Sequence, residues 1–169
     1  MTEERTTATG AEAALLADLL DRDAIRRVIE QYFVCIDRKT PAGMAHVFSD
    51  DAQISYFGGA IVRPAREVIA GGVPPFTWSA HALSNTSITL DGDRATADTC
   101  AVASLAFQGR DGKPGRLVVR GLQYLDGLVR GAAGWRIEIR QHIALWESQA
   151  DLCEPSSAEA LRGLGTPAD

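Results

Sequence analysis

The sequence predicts an α+β domain in which N-terminal helices pack on a curved antiparallel or mixed sheet. Three observations predict it: an apolar helical face early in the chain, a change of hydrophobic period to two after Pro74-Pro75, and four long strand-like segments in succession from there on. A sheet with one apolar face must be covered, and only the N-terminal helices are available to cover it. The concave side then becomes a pocket lined by helix and sheet together.

Taken in order, Ile25, Val28, Ile29, Tyr32, Phe33 and Ile36 recur at spacings of three and four, so residues 23–38 form a helix with one apolar face. Thr40-Pro41 ends it, because the residue before a proline is pushed out of the α region. Residues 42–48 form a second, short helical piece that leads into Ser49-Asp50-Asp51. Residues 53–57 then read as a short strand closed by Gly58-Gly59, with residues 61–63 pairing back as a hairpin. Pro64 suits the first turn of a third helix over residues 65–70, and Gly71-Gly72 stops it. Long strands follow at 81–90, 95–107, 116–129 and 135–146, broken at Asp91-Gly92-Asp93, 109–115 and 131–134.

The chain of 169 residues fits one domain, placed at 11–150, between a flexible N-terminus (1–10) and a loosely held C-terminal tail (151–169) with room for a short helix. Apolar residues at 46% and charged residues at 23% are globular values, which excludes a disordered or fibrous chain. A net charge of −5 without a basic cluster lacks the electrostatic footprint of a nucleic-acid binder. With neither an apolar run of about 18 residues nor a signal-peptide start, the sequence predicts no membrane partner and a cytoplasmic location. Cys35, Cys100 and Cys153 are odd in number and far apart, against a disulfide framework or a cysteine-rich metal site.

The turn Asp91-Gly92-Asp93-Arg94-Ala95 and the closing strand Gly134-Trp135-Arg136-Ile137, in this element order, resemble the SnoaL-like family of the NTF2-like superfamily over roughly residues 20–147. Within it, Tyr32-Phe33-Val34-Cys35-Ile36-Asp37 followed by Phe48-Ser49-Asp50-Asp51-Ala52 looks like the branch of scytalone dehydratase, bile acid 7α-dehydratase and hexachlorocyclohexane dehydrochlorinase, all cofactor-free lyases. The resemblance implies that Asp37 orients His81, which removes a carbon-bound proton, and that Tyr32 assists. It also implies a cone-shaped α+β barrel, Tyr56 and Arg140 as substrate-binding residues, a hydrophobic polycyclic, steroid-like or polyketide-like substrate, no cofactor, and a homo-oligomer, dimer or trimer, formed through the outer sheet face. One departure stands out. Bile acid enzymes carry a further acidic residue where this chain reads Ala101-Val102-Ala103-Ser104-Leu105.

The chemistry fits these residue types. A neutral imidazole accepts a proton near neutral pH, and a carboxylate beside it fixes the tautomer and stabilises the imidazolium. An acid in the last helical turn opposes the helix dipole, a mild misfit that favours a functional role for Asp37. Tyrosine hydroxyls or an arginine at a developing oxyanion would stabilise it. Period-two counting puts His142 and Trp146 on one strand face with Arg140, adding both as pocket-lining candidates. His46, His81 and His142 show no paired-ligand spacing, so no metal is expected. Dehydration, double-bond isomerisation and ring closure all remain open to such a site, as do two non-catalytic uses of the fold: a small-molecule-binding or assembly module, and an accessory subunit of a ring oxygenase.

Overall fold

A computed structural model describes residues 9–56, 59, 61–71 and 75–152. The short helix considered for the C-terminal tail and Cys153 lie outside the described residues. Helix α1 spans Gly10–Asp37, starting well before the expected residue 23. Thr9 and Glu12 form a capping box: Thr9 Oγ1 accepts from the Glu12 amide at 3.3 Å and Glu12 Oε2 accepts from the Thr9 amide at 2.6 Å. Asp18–Arg22 and Asp23–Arg27 pairs, each at 2.7 Å and four residues apart, support the early turns. Leu15, Leu16, Leu19 and Leu20 on this extension are 55–61% exposed, so they do not take part in the buried stripe that marks the rest of the helix. The helix ends at Asp37, where Lys39 turns left-handed (φ 53°) and the Thr40 amide donates back to the Cys35 carbonyl at 2.9 Å.

A 3-10 helix at Pro41–His46 replaces the expected helical piece at 42–48, and β1 (Phe48–Tyr56) begins at once, five residues earlier than expected. β2 (Ile61–Pro64) pairs with it antiparallel, and α2 occupies Ala65–Ala70, with Pro64 just outside it as N-cap rather than in its first turn and Gly71 as C-cap. Strands β3 (Trp78–Asp91), β4 (Arg94–Phe107), β5 (Arg116–Gly131) and β6 (Gly134–Asp151) form the meander. The sheet order is β2-β1-β6-β5-β4-β3, with β1 parallel to β6 and every other pairing antiparallel, hence a mixed sheet. Gly92 (φ 58°) and Gly134 (φ 96°) supply the positive φ that the tight hairpin turns need.

Ile25, Ile29 and Phe33 of α1 are buried against the concave face of the sheet, where Tyr124, Leu128 and Ile137 complete the core. Each such side chain contributes about 1.5–3 kcal/mol through removal from water. The middle of α1 is fastened to the β5–β6 turn through Asp21, which accepts from Trp135 Nε1 at 3.0 Å and pairs with Arg130. Arg22 Nη1 reaches the Ile88 carbonyl at 2.6 Å on β3. Among the described residues no helix is long and apolar enough to cross a membrane.

Two bulges shape β6. Opposite Gly127 and Leu128 of β5 stand Ile139 and Ile137, so Glu138 is an extra residue; opposite Gly121 and Leu122 stand Trp146 and Ala144, so Leu145 is another. Each extra residue shifts the in-out alternation by one. The inward set is therefore Trp135, Ile137, Arg140, His142, Ala144 and Glu147 rather than a single unbroken alternate series.

Candidate active site

The concave face, α1, the 3-10 helix and α2 enclose a cavity of about 390 Å³. Cross-strand register organises its sheet wall in rows. One row runs His81, Ala103, Arg120, Glu147 across β3, β4, β5 and β6; the next inward row runs Leu83, Ala101, Leu122, Ala144. Deeper still lie Tyr124, His142 and Tyr56 on adjacent positions, then Asp126 and Arg140 at the closed end. Alanines at 101 and 103 leave the space that larger side chains would fill.

Asp37, the last residue of α1, meets His81 near the start of β3. Its Oδ1 accepts from Ser79 Oγ at 2.7 Å and lies 2.7 Å from His81 Nδ1, while Oδ2 accepts the His81 backbone amide at 2.9 Å. Burial raises the Asp37 carboxyl, but the hydrogen bonds from Ser79 and His81 outweigh it and hold the group below its usual value. An ionised carboxylate only accepts, so Nδ1 carries the imidazole proton and Nε2 is left as the basic nitrogen. The His81 side chain is 7% exposed, on the cavity wall, with Phe33 against its ring at 5.2 Å between centroids. Three donors on one carboxylate thus fix the ring's position and its tautomer.

Tyr32 and Tyr56 both line the cavity. Burial raises the Tyr32 phenol and pushes Tyr56 up to about 12, so both stay protonated donors. His142 lies between the rings of Tyr56 (5.3 Å) and Tyr124 (5.1 Å); burial first, then the charges of Arg140 and Arg120, lower it to about 4. At neutral pH His142 is an uncharged imidazole. The described residues contain no cluster of three His, Cys, Asp or Glu side chains.

Two expected pocket residues sit elsewhere. Arg140 is fully buried behind the wall, donating through Nε (2.7 Å) and Nη2 (2.6 Å) to Asp126, with its guanidinium 4.1 Å from the Tyr32 ring centroid and 4.8 Å from that of Tyr124. Its Nη1 has no hydrogen-bond partner among the described residues. Arg140 therefore acts on the cavity through the rings it supports. Trp146 lies on the outer face, 50% exposed and over Gly121, because the bulge at Leu145 turned the alternation. Glu147 takes the place expected for it.

The same geometry adds Ser79, Tyr124, Arg120 and Glu147, which were not singled out from the sequence. Ser79 was within reach of sequence reasoning, since it stands two residues before His81 on the same strand face.

The SnoaL-like domain family matches residues 17–141. An uncharacterised protein of Mycobacterium tuberculosis (strain H37Rv) is 30% identical over 126 residues, 72% of this chain and 84% of that protein. Among solved structures, a provisionally named scytalone dehydratase from Novosphingobium aromaticivorans superposes with a TM-score of 0.67 at 19% identity, covering 80% of this chain and 91% of that one. Hexachlorocyclohexane dehydrochlorinase LinA-type3 from Novosphingobium barchaimii superposes with a TM-score of 0.69 at 15% identity, covering 83% and 99%. At these identities the two structures share the fold.

Proposed function

This chain belongs to the SnoaL-like domain family and shares its fold with an NTF2-like protein, and on that footing we propose that it is a cofactor-independent lyase or isomerase working through an Asp37–His81 general-base pair. The observation that carries the reading is a carboxylate-locked imidazole, His81 Nδ1 2.7 Å from Asp37, on the wall of a mostly apolar cavity. His81 Nε2 takes a proton from a substrate carbon, and the electron pair left behind moves toward an adjacent carbonyl or expels a leaving group. Asp37 stabilises the imidazolium that results. Tyr32 and Tyr56 hydroxyls and the neutral His142 imidazole donate to the oxygen where charge develops. The imidazolium then returns its proton to the leaving group, which gives elimination, or to another carbon, which gives isomerisation; where the carbanion instead attacks a second carbonyl carbon of the same molecule, the alkoxide formed there takes the proton, which gives ring closure. The apolar walls suit a polycyclic, steroid-like or polyketide-like body.

Proton abstraction can be tested before the substrate is known. Polycyclic ketones and β-hydroxyketones incubated in deuterated water with the wild type gain deuterium at carbon, read by mass spectrometry, and the His81→Ala variant does not promote the gain. Full activity of His81→Ala on any transformed compound overturns the assignment. A ligand that binds in the cavity and is never transformed would instead favour the binding-module reading.

Self-association completes the proposal. Val102, Leu125, Ile139 and Trp146 on the outer sheet face are each at least 36% exposed, an apolar surface suited to a dimer or trimer. Light scattering that finds a monomer removes this part.

A further inference from the structure

Among the described residues lining the cavity, Arg120 and Glu147 carry the full charges; the other wall residues are apolar, aromatic or histidine. Burial of an apolar substrate is non-directional, so orientation falls to the few polar groups on the wall. Arg120 stands in the same cross-strand row as His81, two strands away, with Ala103 between them. Two strand spacings set their Cα positions about 10 Å apart, and Ala103 leaves the space between open. A substrate ring lying over Ala103 would present one end to His81 and the other to Arg120.

We propose that Arg120 is the specificity residue of this site and binds a carboxylate on the far end of a hydrophobic substrate, displacing Glu147. The inference rests on reading the cavity as the substrate site. Glu147 shows that a carboxylate fits at this guanidinium: its Oε2 accepts from Arg120 Nε at 2.6 Å, while its Oε1 accepts from the Gln149 amide. The contact uses one N–H of an arginine fork that can offer a carboxylate two. Both side chains are partly exposed, 39% for Arg120 and 35% for Glu147, and exposed pairs of this kind contribute little. The contrast is with Arg140–Asp126, two hydrogen bonds at 0% exposure, which nothing displaces. Glu147 therefore acts as a stand-in that keeps Arg120 oriented until a substrate carboxylate takes both prongs.

The test uses naphthalene-2-carboxylate and its neutral counterpart naphthalene-2-carboxamide, with calorimetry for affinity and the His81 ring signals in NMR for location. The wild type is expected to bind the carboxylate at least 10-fold more tightly than the carboxamide, with both probes shifting the His81 signals. Arg120→Gln removes the preference by weakening the carboxylate at least 10-fold, with a much smaller loss for the carboxamide. Glu147→Gln, which removes the competing carboxylate, tightens carboxylate binding several-fold. Arg120→Lys, which keeps the charge without the fork, retains part of the preference and controls for folding. Equal affinities in the wild type, or a parallel loss of both probes in Arg120→Gln, overturns the assignment of Arg120 while the His81 shifts keep the cavity reading. If neither probe moves the His81 signals, the cavity reading falls with it.

Discussion

Replacing Asp37 by Asn tests the central pair most directly, because the change keeps the side chain's shape and removes its charge. In the wild type the carboxylate accepts three hydrogen bonds: Ser79 Oγ and His81 Nδ1 at Oδ1, and the His81 backbone amide at Oδ2. An amide has one acceptor oxygen and one NH2 group. If the oxygen takes the Oδ2 place, it keeps the His81 amide and aims NH2 at Ser79 and Nδ1. Ser79 can rotate to accept, but Nδ1 can accept only by giving up its proton, so the proton moves to Nε2. If the oxygen takes the Oδ1 place, NH2 confronts the His81 backbone N–H, a donor against a donor with no rotation to relieve it. The first arrangement wins, and it abolishes the basic Nε2. A carboxylate-to-amide change that leaves an imidazole in the wrong tautomer costs about 10⁴ in kcat in a serine-protease triad, and a loss of about 10³–10⁴ is expected here. Losing bonds to an ionised group costs about 1–3 kcal/mol of stability, or about 2–4 °C in Tm per kcal/mol for a chain of this size. Nitrogen-15 shifts of the His81 ring read the tautomer without any substrate. The proton is expected on Nδ1 in the wild type and on Nε2 in Asp37→Asn. A wild-type ring protonated at Nε2, or a variant that keeps Nδ1–H, refutes the reasoning.

Three further outcomes follow from the same structure. His142 titrates near 4 in the fold against an ordinary 6.5, so between those values the unfolded chain takes a proton that the folded protein refuses. Stability is whole above about pH 6.5 and falls by about 3 kcal/mol by pH 4; His142→Gln should flatten that segment of a denaturant-derived stability profile, and identical profiles would count against the shift. Removing either member of the 0%-exposed Arg140–Asp126 pair leaves an uncompensated buried charge. Arg140→Met or Asp126→Leu alone is expected to cost about 3–5 kcal/mol and the double replacement less than either, as measured by urea unfolding. A Cβ at Gly121 would fall 2.0 Å from Trp146 Nε1. Gly121→Ala is therefore expected to push the indole off the outer face, shift its fluorescence and weaken self-association in light scattering; unaltered emission and mass would show that the indole does not rest there.

How far the sequence reached depended on the kind of signal. The helix at 65–70 matched to the residue because proline and glycine act locally, through φ at Pro64 and termination at Gly71. The start of α1 was missed although its capping box, Thr9 with Glu12, is a local signal too. The leucines after it, Leu15, Leu16, Leu19 and Leu20, also recur at three and four, but centred on another face of the helix from Ile25, Ile29 and Phe33, so they do not extend the buried stripe. Asp37 and His81 are 44 residues apart, and no periodicity connects them; the family resemblance did. Arg120 and Tyr124 share an inward face with Leu122, but β5 carries apolar residues on its outer face as well, at Leu117, Val119 and Leu125. Alternation alone therefore could not say which face was inside.

Counting by twos along β6 failed for a physical reason that also explains the site. A strand of 18 residues that must stay paired with β5 while the sheet curls around a cavity cannot remain regular, and bulges accommodate the extra bend and twist. The bulge at Glu138 makes Ile137 and Arg140 successive inward residues, so the arginine meets Asp126 at the closed end. The bulge at Leu145 does the same for Ala144 and Glu147, sending Trp146 to the outer face and bringing a carboxylate to Arg120. Without the second bulge the rim position would hold the indole and the outer face the acid, which would seal the mouth with a ring and put a charge into the apolar face. The irregularity that defeated the count is thus what separates an apolar outer surface from a polar pocket rim on one strand.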